Sequence, residues 1–216
     1  MLDWLRYFPI ALRWNNNPKR VKGPYLSKRW LRKFNLSGSE LEIRLPVANS
    51  VLGFQPLGRS IRRTLRVAPD LLYADWESES STATLGRWQH ASVYVRDWLF
   101  TGEWFTRPVS DIAFSIDICG QIKLDEFEGS SFFHPRVFES VIANYLDSSF
   151  GHSKIGRKAR YCGPVNWSIL DVSSTVKAAC FDILEIGDGS RDNAGLRRLV
   201  LLPIAHDRFL NIEFSF

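Results

Sequence analysis

The sequence has 216 residues, of which 45% are hydrophobic and 24% are charged, and its formal net charge is +5. A chain of this length and composition can fold without a metal or a disulfide, as one globular domain or one domain with an extension. No stretch approaches eighteen uninterrupted apolar residues, which excludes a predicted membrane span.

The cysteines and the N-terminus predict a compartment. Cys119, Cys162 and Cys180 are odd in number and irregularly spaced, a pattern that predicts neither a disulfide framework nor a zinc site. Asp3 and Arg6 interrupt the apolar N-terminus, which also lacks a cleavage site, so we expect no secretory signal. These features predict a cytoplasmic protein without cofactor, metal or membrane contact.

The charges are distributed unevenly along the chain. Residues 1–66 hold 14 Lys and Arg against 3 Asp and Glu, residues 67–150 hold 5 against 13, and residues 151–216 hold 9 against 7. This asymmetry favours either a charge match between segments or a polarised binding surface. We predict a basic N-terminal extension, residues 1–39, followed by a single α+β domain, residues 40–216.

The end of the basic extension has a helical pattern. Ser27 is a residue type that caps helix N-termini. Trp30, Leu31 and Phe34 follow at helical spacing, with basic side chains largely between them. The sequence therefore predicts a short helix over residues 27–34.

From Glu40 onward the apolar residues recur every second position, which is the period of a half-buried strand. Arg96 and Asp97 interrupt one such stretch and indicate a bulge or a sheet edge. The strands predicted by this pattern cover residues 40–47, 59–67, 70–76, 91–100, 111–119, 165–170, 175–186, 196–205 and 209–216.

One strong helix is predicted. Pro135 stands where a first-turn proline is favoured, and Gly151 follows as a C-terminal stop. Between them runs an apolar stripe made by Val137, Phe138, Val141, Ile142, Tyr145 and Leu146. The predicted fold is α+β, a mainly antiparallel sheet of about seven to ten strands with one principal helix, about 135–150, packed on one face.

No catalytic or metal-binding motif is recognisable. The serines lack the Gly-x-Ser-x-Gly turn of a nucleophile elbow. Cys162 lies beside Arg160 and Tyr161, which could lower the pKa of its thiol, but the favoured interpretation is a half-buried structural thiol. The histidines stand singly at His90, His134, His152 and His206. We therefore expect no catalytic residues and no enzyme; the alternative is an unrecognised hydrolase that uses the acidic residues 70–79.

A second alternative is nucleic-acid binding through residues 13–33, where basic side chains could neutralise phosphates and aromatics could stack on bases. The competing interpretation is that this segment packs on the core and pairs with the acidic residues that follow. The nucleic-acid-binding candidates are Lys19, Arg20, Lys22, Lys28, Arg29, Trp30, Arg32 and Lys33.

Protein binding is the favoured interpretation. Acidic residues in 70–79 are followed by Ser and Thr, and tryptophans recur nearby at intervals of roughly ten residues. Exposed together, they would form an acidic, aromatic surface suited to a basic protein partner. The partner-binding candidates are Asp70, Asp75, Trp76, Glu77, Glu79, Trp88 and Trp104.

Three stretches carry a resemblance to a family. Residues 131–146 contain Ser-Phe-Phe-His-Pro before the predicted helix, residues 163–167 read Gly-Pro-Val-Asn-Trp, and residues 202–210 read Leu-Pro-Ile-Ala-His-Asp-Arg-Phe-Leu. In these stretches the chain resembles bacterial cytosolic immunity proteins of secreted toxin–immunity pairs. The resemblance implies a non-catalytic protein that binds a cognate toxin effector and blocks its active site. It assigns no site residues, and the basic N-terminal segment departs from the acidic balance of a nuclease inhibitor.

Overall fold

The structure, a computed structural model, describes residues 29–36, 39–46, 65–66, 83–85, 88–101, 108–121, 127–151, 154–155, 158–186 and 195–216. The chain divides into two compact units. The first comprises Met1–Val67, Val95–Ala113 and Phe216, and the second comprises Ala68–Tyr94 and Phe114–Ser215. The predicted division at residues 39 and 40 stays a prediction.

A three-stranded sheet lies within the first unit. It consists of β1 (Arg29–Leu36), β2 (Ser39–Pro46) and β3 (Leu65–Arg66), in the order β2-β1-β3. β1 pairs with β2 in antiparallel register along its whole length and with β3 in parallel.

The predicted helix over residues 27–34 is wrong, because most of this stretch forms strand β1. Arg32 and Phe34 are buried while Leu31 is exposed, which is the alternation of a strand and not the stripe of a helix. β2 gives every residue of β1 a partner, and this pairing prevails over the local helical spacing.

A seven-stranded sheet has the order β4-β5-β6-β12-β11-β10-β9, and β7 pairs with β8 in a separate two-stranded sheet. One α-helix, α1 (Pro135–Leu146), precedes a π-helical turn at Asp147–Gly151. The strands are β4 (Ala83–Leu85), β5 (Trp88–Thr101), β6 (Pro108–Gln121), β7 (Lys154–Ile155), β8 (Lys158–Ala159), β9 (Tyr161–Asp171), β10 (Lys177–Glu185), β11 (Gly195–Pro203) and β12 (Arg208–Ser215).

The predicted α+β class is confirmed, and so is its mainly antiparallel character. Of the stretch 59–67 only residues 65–66 are described, as β3, and the stretch 70–76 lies outside the described residues. β5 runs without a break through Arg96 and Asp97. The predicted strands that the structure confirms are 40–47, 91–100, 111–119, 165–170, 175–186, 196–205 and 209–216.

The predicted helix at 135–150 is confirmed as α1 and the turn that continues it. Its apolar stripe is buried at Phe138, Val141, Ile142 and Tyr145. Tyr145 meets the buried Phe209 of β12 edge to face, with ring centroids 5.2 Å apart. Among the described residues, no helical segment has the length and apolarity needed to cross a lipid bilayer.

Candidate functional site

The edge strand β9 is the most exposed apolar element that the structure describes. β9 ends the order of the seven-stranded sheet and, in the described part of the chain, pairs on one side only, with β10. Trp167 is 42% exposed, Ile169 52%, Leu170 42% and Val172 53%. We call residues 167–172 the open edge. Large apolar side chains this exposed on an unpaired strand are typical of an interaction site.

Two cavities lie between α1 and β9, and together they form what we call the α1–β9 groove. The first, of about 580 Å³, is lined by the C-terminal half of α1 and the N-terminal half of β9. The second, of about 480 Å³, is lined by the N-terminal half of α1 and the C-terminal half of β9. Glu139, Ile142 and Trp167 line both cavities.

Trp167 is held in place as a shared wall of the two cavities. Its ring stacks on that of the buried Phe181 of β10, with centroids 5.1 Å apart and planes 5° apart. Register places both residues on the side of the sheet that faces α1, together with Ile169. The stack fixes the indole as a wall of the groove while its outer face stays in solvent.

The N-terminal half of β9 is irregular. Gly163 has a φ of 150° and Asn166 has a φ of 55°, and the pairing register with β10 shifts here. A Cβ at position 163 would lie 2.9 Å from the carbonyl oxygen of Asp182, so only glycine fits. Pro164 has no N–H to offer a further strand, so regular pairing on the outer side is confined to the open edge.

A buried carboxylate holds this irregular half in place. Asp182 is 1% exposed and accepts hydrogen bonds from Arg198 Nε at 2.7 Å and from Asn166 Nδ2 at 2.8 Å. The hydrogen bond from Arg198 is the largest influence that lowers the pKa of Asp182 below its usual range. The carboxylate therefore ties the bulge of β9 to β10 and β11.

A cysteine and a histidine meet under α1, a pair that sequence reasoning did not join. Cys119 Sγ of β6 lies 3.4 Å from His90 Nδ1 of β5. Burial raises the pKa of the Cys119 thiol well above its usual value and lowers the pKa of His90. Both groups are therefore neutral near pH 7, and Cys119 is fully buried. A neutral, inaccessible thiol is a core contact and not a nucleophile.

Trp88 was predicted as a partner-binding residue, and the structure corrects this. Its side chain is fully buried, and its Nε1 donates a hydrogen bond to Asn144 Oδ1 of α1 at 3.0 Å. A side chain in this position supports the core and cannot anchor a partner. The other predicted partner-binding residues, Asp70, Asp75, Trp76, Glu77, Glu79 and Trp104, lie outside the described residues.

The nucleic-acid candidates are partly described. Arg32 is buried, so its guanidinium is not available to a phosphate and this assignment is corrected. Lys33 forms ion pairs with Glu40 at 2.6 Å and with Glu42, both on β2. Arg29 is exposed, and of Trp30 only its place in β1 is described. Lys19, Arg20, Lys22 and Lys28 lie outside the described residues.

The remaining predicted polar residues are scattered. His206 Nδ1 lies 2.8 Å from Ser131 Oγ, which also accepts a hydrogen bond from the Phe133 N–H at 3.3 Å. His134 precedes α1 as its N-cap, and Cys162 is exposed on β9. His152 lies outside the described residues. Within the described ranges, no three His, Cys, Asp or Glu side chains gather as a metal site.

Comparison with protein-family models, with curated proteins and with solved structures found no match to this chain. The geometry of the open edge and of the α1–β9 groove therefore carries the functional interpretation.

Proposed function

We propose that this chain is a non-catalytic protein-binding protein that holds its partner on the open edge and the α1–β9 groove. One observation carries the proposal. Three large apolar side chains on β9, those of Trp167, Ile169 and Leu170, and the side chain of Val172 directly after it are about half exposed, and the outer side of β9 is unpaired in the described structure. Trp167 lines both of two cavities that are each large enough for a bulky side chain, and Ile169 lines the second.

The physical argument concerns edge strands. An edge strand presents unpaired N–H and C=O groups, and proteins usually protect such edges with proline, charge or a bulge. β9 has this protection at Pro164 and at the bulge near Asn166, in its N-terminal half. Residues 167–170 have neither charge nor proline. An apolar edge left unprotected beside a protected half is best explained by a partner that adds a strand there.

The more specific form of the proposal is an immunity protein. It would act in the cytoplasm, bind a cognate toxin effector stoichiometrically and block it by occupancy, without turnover. Of the stretches that resemble this family, residues 131–146 include α1 and residues 163–167 belong to β9. Pro203, in the stretch 202–210, lines the second cavity. The resembling stretches thus contribute walls of the α1–β9 groove.

The test is affinity capture from the source organism with matched baits. Wild-type chain is compared with Ile169→Lys, which places a charge on the open edge, and with Leu184→Lys as control. Leu184 is an equally large exposed apolar residue on β10, but it faces away from α1. Capture is done at two salt concentrations and with nuclease treatment, and circular dichroism verifies that all baits fold.

The proposal predicts one stoichiometric protein, retained at high salt, captured by wild type and Leu184→Lys and lost with Ile169→Lys. Expressed alone, that protein should arrest growth, and co-expression of this chain should restore it. Retention by Ile169→Lys would contradict the assigned surface. Recovery of nucleic acid that is lost at high salt would move the function to residues 13–33. If the captured protein does not arrest growth, this chain is not an immunity protein, but the proposal that it binds a protein on this surface still holds.

A further inference from the structure

The spacing of the two cavities limits what can fill them together. Phe138 lines only the second cavity and Leu146 only the first. They stand eight residues apart on α1, which corresponds to about 12 Å along the helix axis. Four residues of an extended strand span about 13 Å. Two apolar side chains four residues apart on one strand therefore match the two cavities, and a small residue midway between them avoids the indole of Trp167, which lines both.

Charge is different at the two ends of the groove. Glu139 lines both cavities; the first is also lined by Asp147, whereas the second is also lined by Arg136 and Lys177, so the first is the more acidic of the two. Lys177 makes a 3.4 Å ion pair with Asp171, and both side chains are mostly exposed, so this pair is weak and can rearrange. A ligand that presents a cation at the first cavity and a carboxylate at the second is complementary to the groove.

Apolar side chains are exposed on both faces of the sheet at the open edge, and this favours an extended ligand over a helical one. Ile169 lies on the face toward α1, whereas Leu170 lies on the opposite face, and both are about half exposed. A helix lying in the groove would cover only the first face. A strand paired with the open edge alternates its own side chains and covers both. Because neighbouring strands are about 4.8 Å apart, its long side chains can reach back into the cavities.

These observations, together with the proposed function on which they rest, define the ligand. We infer that the partner supplies an extended segment of nine residues. Its first five residues pair antiparallel with residues 167–171 of the open edge, and its last four continue as an extended chain past the bulge of β9. It carries an acidic residue at its first position, large apolar residues at its third and seventh, a small residue at its fifth and a basic residue at its ninth. Antiparallel addition matches the β9–β10 pairing and has the more stable ladder.

The direction follows from the charges. β9 runs from the first cavity to the second, so the start of an antiparallel segment lies at the second cavity, beside Arg136 and Lys177. Its acidic first residue meets these cations, and its basic ninth residue meets Asp147. In the paired half of the segment, odd-numbered residues face α1 and even-numbered residues face the other side of the sheet.

The experiment uses synthetic peptides and fluorescence anisotropy on the full chain. The first peptide has Glu, Phe, Ser, Phe and Lys at positions one, three, five, seven and nine, with Thr elsewhere; the second exchanges Glu and Lys. We expect wild type to bind the first peptide at least tenfold more tightly. The double variant Asp147→Lys with Lys177→Glu should prefer the second peptide, and the control Glu128→Lys with Lys158→Glu should behave as wild type.

Several outcomes would overturn the inference. Equal binding of the two peptides would contradict the inferred direction of the segment along β9. A helical circular dichroism signal from the bound peptide would contradict its inferred strand conformation. Concentration-dependent dimerisation of the chain alone, lost in Ile169→Lys, would make a second copy the occupant. If neither peptide binds while Ile169→Lys still abolishes capture of a partner, the segment is wrong and the proposed function stands. If neither peptide binds and Ile169→Lys does not affect capture of a partner, both the inferred segment and the proposed function are wrong.

Discussion

Two tryptophans on the face of the sheet that packs against α1, Trp88 of β5 and Trp167 of β9, contact neighbouring aromatic rings in different ways. Under α1, Trp88 meets Tyr145 at 5.6 Å and Phe209 at 5.4 Å, with the rings edge to face and all three buried. At β9, Trp167 lies flat on Phe181 and leaves its other face in solvent. A ring surrounded on all sides stabilises the fold, whereas a ring supported on one side is available to a ligand.

The two tryptophans are packed differently because the sheet is wider than the helix that packs on it. Seven strands at about 4.8 Å spacing extend about 29 Å across the sheet, whereas one helix with its side chains is about 10 Å wide. In the part of the chain that the structure describes, α1 packs on Trp88 and Phe209 through Tyr145, and no second helix covers the β9 end of this face. The comparison teaches that aromatic residues near α1 should control stability and that those at β9 should control binding. Four measurements test this division, from the largest expected effect to the smallest.

Phe209→Ala should have the largest effect. Phe209 is fully buried among aromatic rings, and removal of such a ring leaves a cavity that costs about 3–5 kcal/mol of unfolding free energy. Urea denaturation followed by circular dichroism measures the loss. Under conditions where the variant stays folded, its affinity for the captured partner should match wild type. A loss below about 1 kcal/mol would contradict the closed core.

Asp182→Asn should cost about 1.5–3 kcal/mol at neutral pH, because it removes charged hydrogen bonds from a buried site. Arg198 keeps the pKa of Asp182 low in the folded chain, so this stabilisation is complete above about pH 4 and is lost as pH falls through the lowered pKa. The stability difference between wild type and the variant should therefore narrow below about pH 4. A difference that stays constant during acid titration would contradict the assigned charge.

Trp167→Ala should cost less, about 1–2 kcal/mol, because the indole is already partly exposed and loses only its stack on Phe181. Its effect on the partner should exceed its effect on folding, since the two cavities would merge. Parallel urea denaturation and titration with the captured partner separate these quantities. Trp88→Phe provides the matched control under α1, with altered stability and unchanged affinity for the folded chain.

The test with the smallest expected effect uses the wild-type chain and compares the reactivity of two cysteines. Cys162 is exposed on β9, whereas Cys119 is buried with a pKa raised well above its usual value by burial. A maleimide should label Cys162 rapidly in the folded chain and should label Cys119 only after unfolding. Peptide mass spectrometry after timed labelling assigns the sites. Equal rates at both cysteines would show that the covered region opens readily.

Most of the regular structure is predictable from local patterns. Alternating residues in β6 and β12 and the 3,4 spacing of α1 each belong to a face that their neighbours in sequence define. β1 was mispredicted because Trp30, Leu31 and Phe34 also fit a helical spacing. Its actual partner, β2, determines the conformation, and the register of a pairing is not contained in the period of either strand.

The site was less predictable, because exposure depends on the order of strands in the sheet. Trp88 lies just before the predicted strand 91–100 and Trp167 lies within the predicted strand 165–170. The position of α1 and the end position of β9 distinguish the buried tryptophan from the exposed one. Cys119 and His90 meet through the assembly of the sheet, 29 residues apart. One signal was present in the sequence: Gly163 and Pro164 directly precede the predicted strand 165–170, and both residue types are typical of bulges and edge strands.

The bulge of β9 also has an evolutionary consequence. Position 163 has no space for a Cβ against the backbone of Asp182, and position 166 has a left-handed conformation that Asn and Gly adopt readily. Descendants of this protein that keep the bulge should retain Gly at 163 and Asn, Asp or Gly at 166, while residues 167–170 vary with the partner. A constant pair next to a changing tetrapeptide is the signature by which diverged lineages of this protein would be recognised.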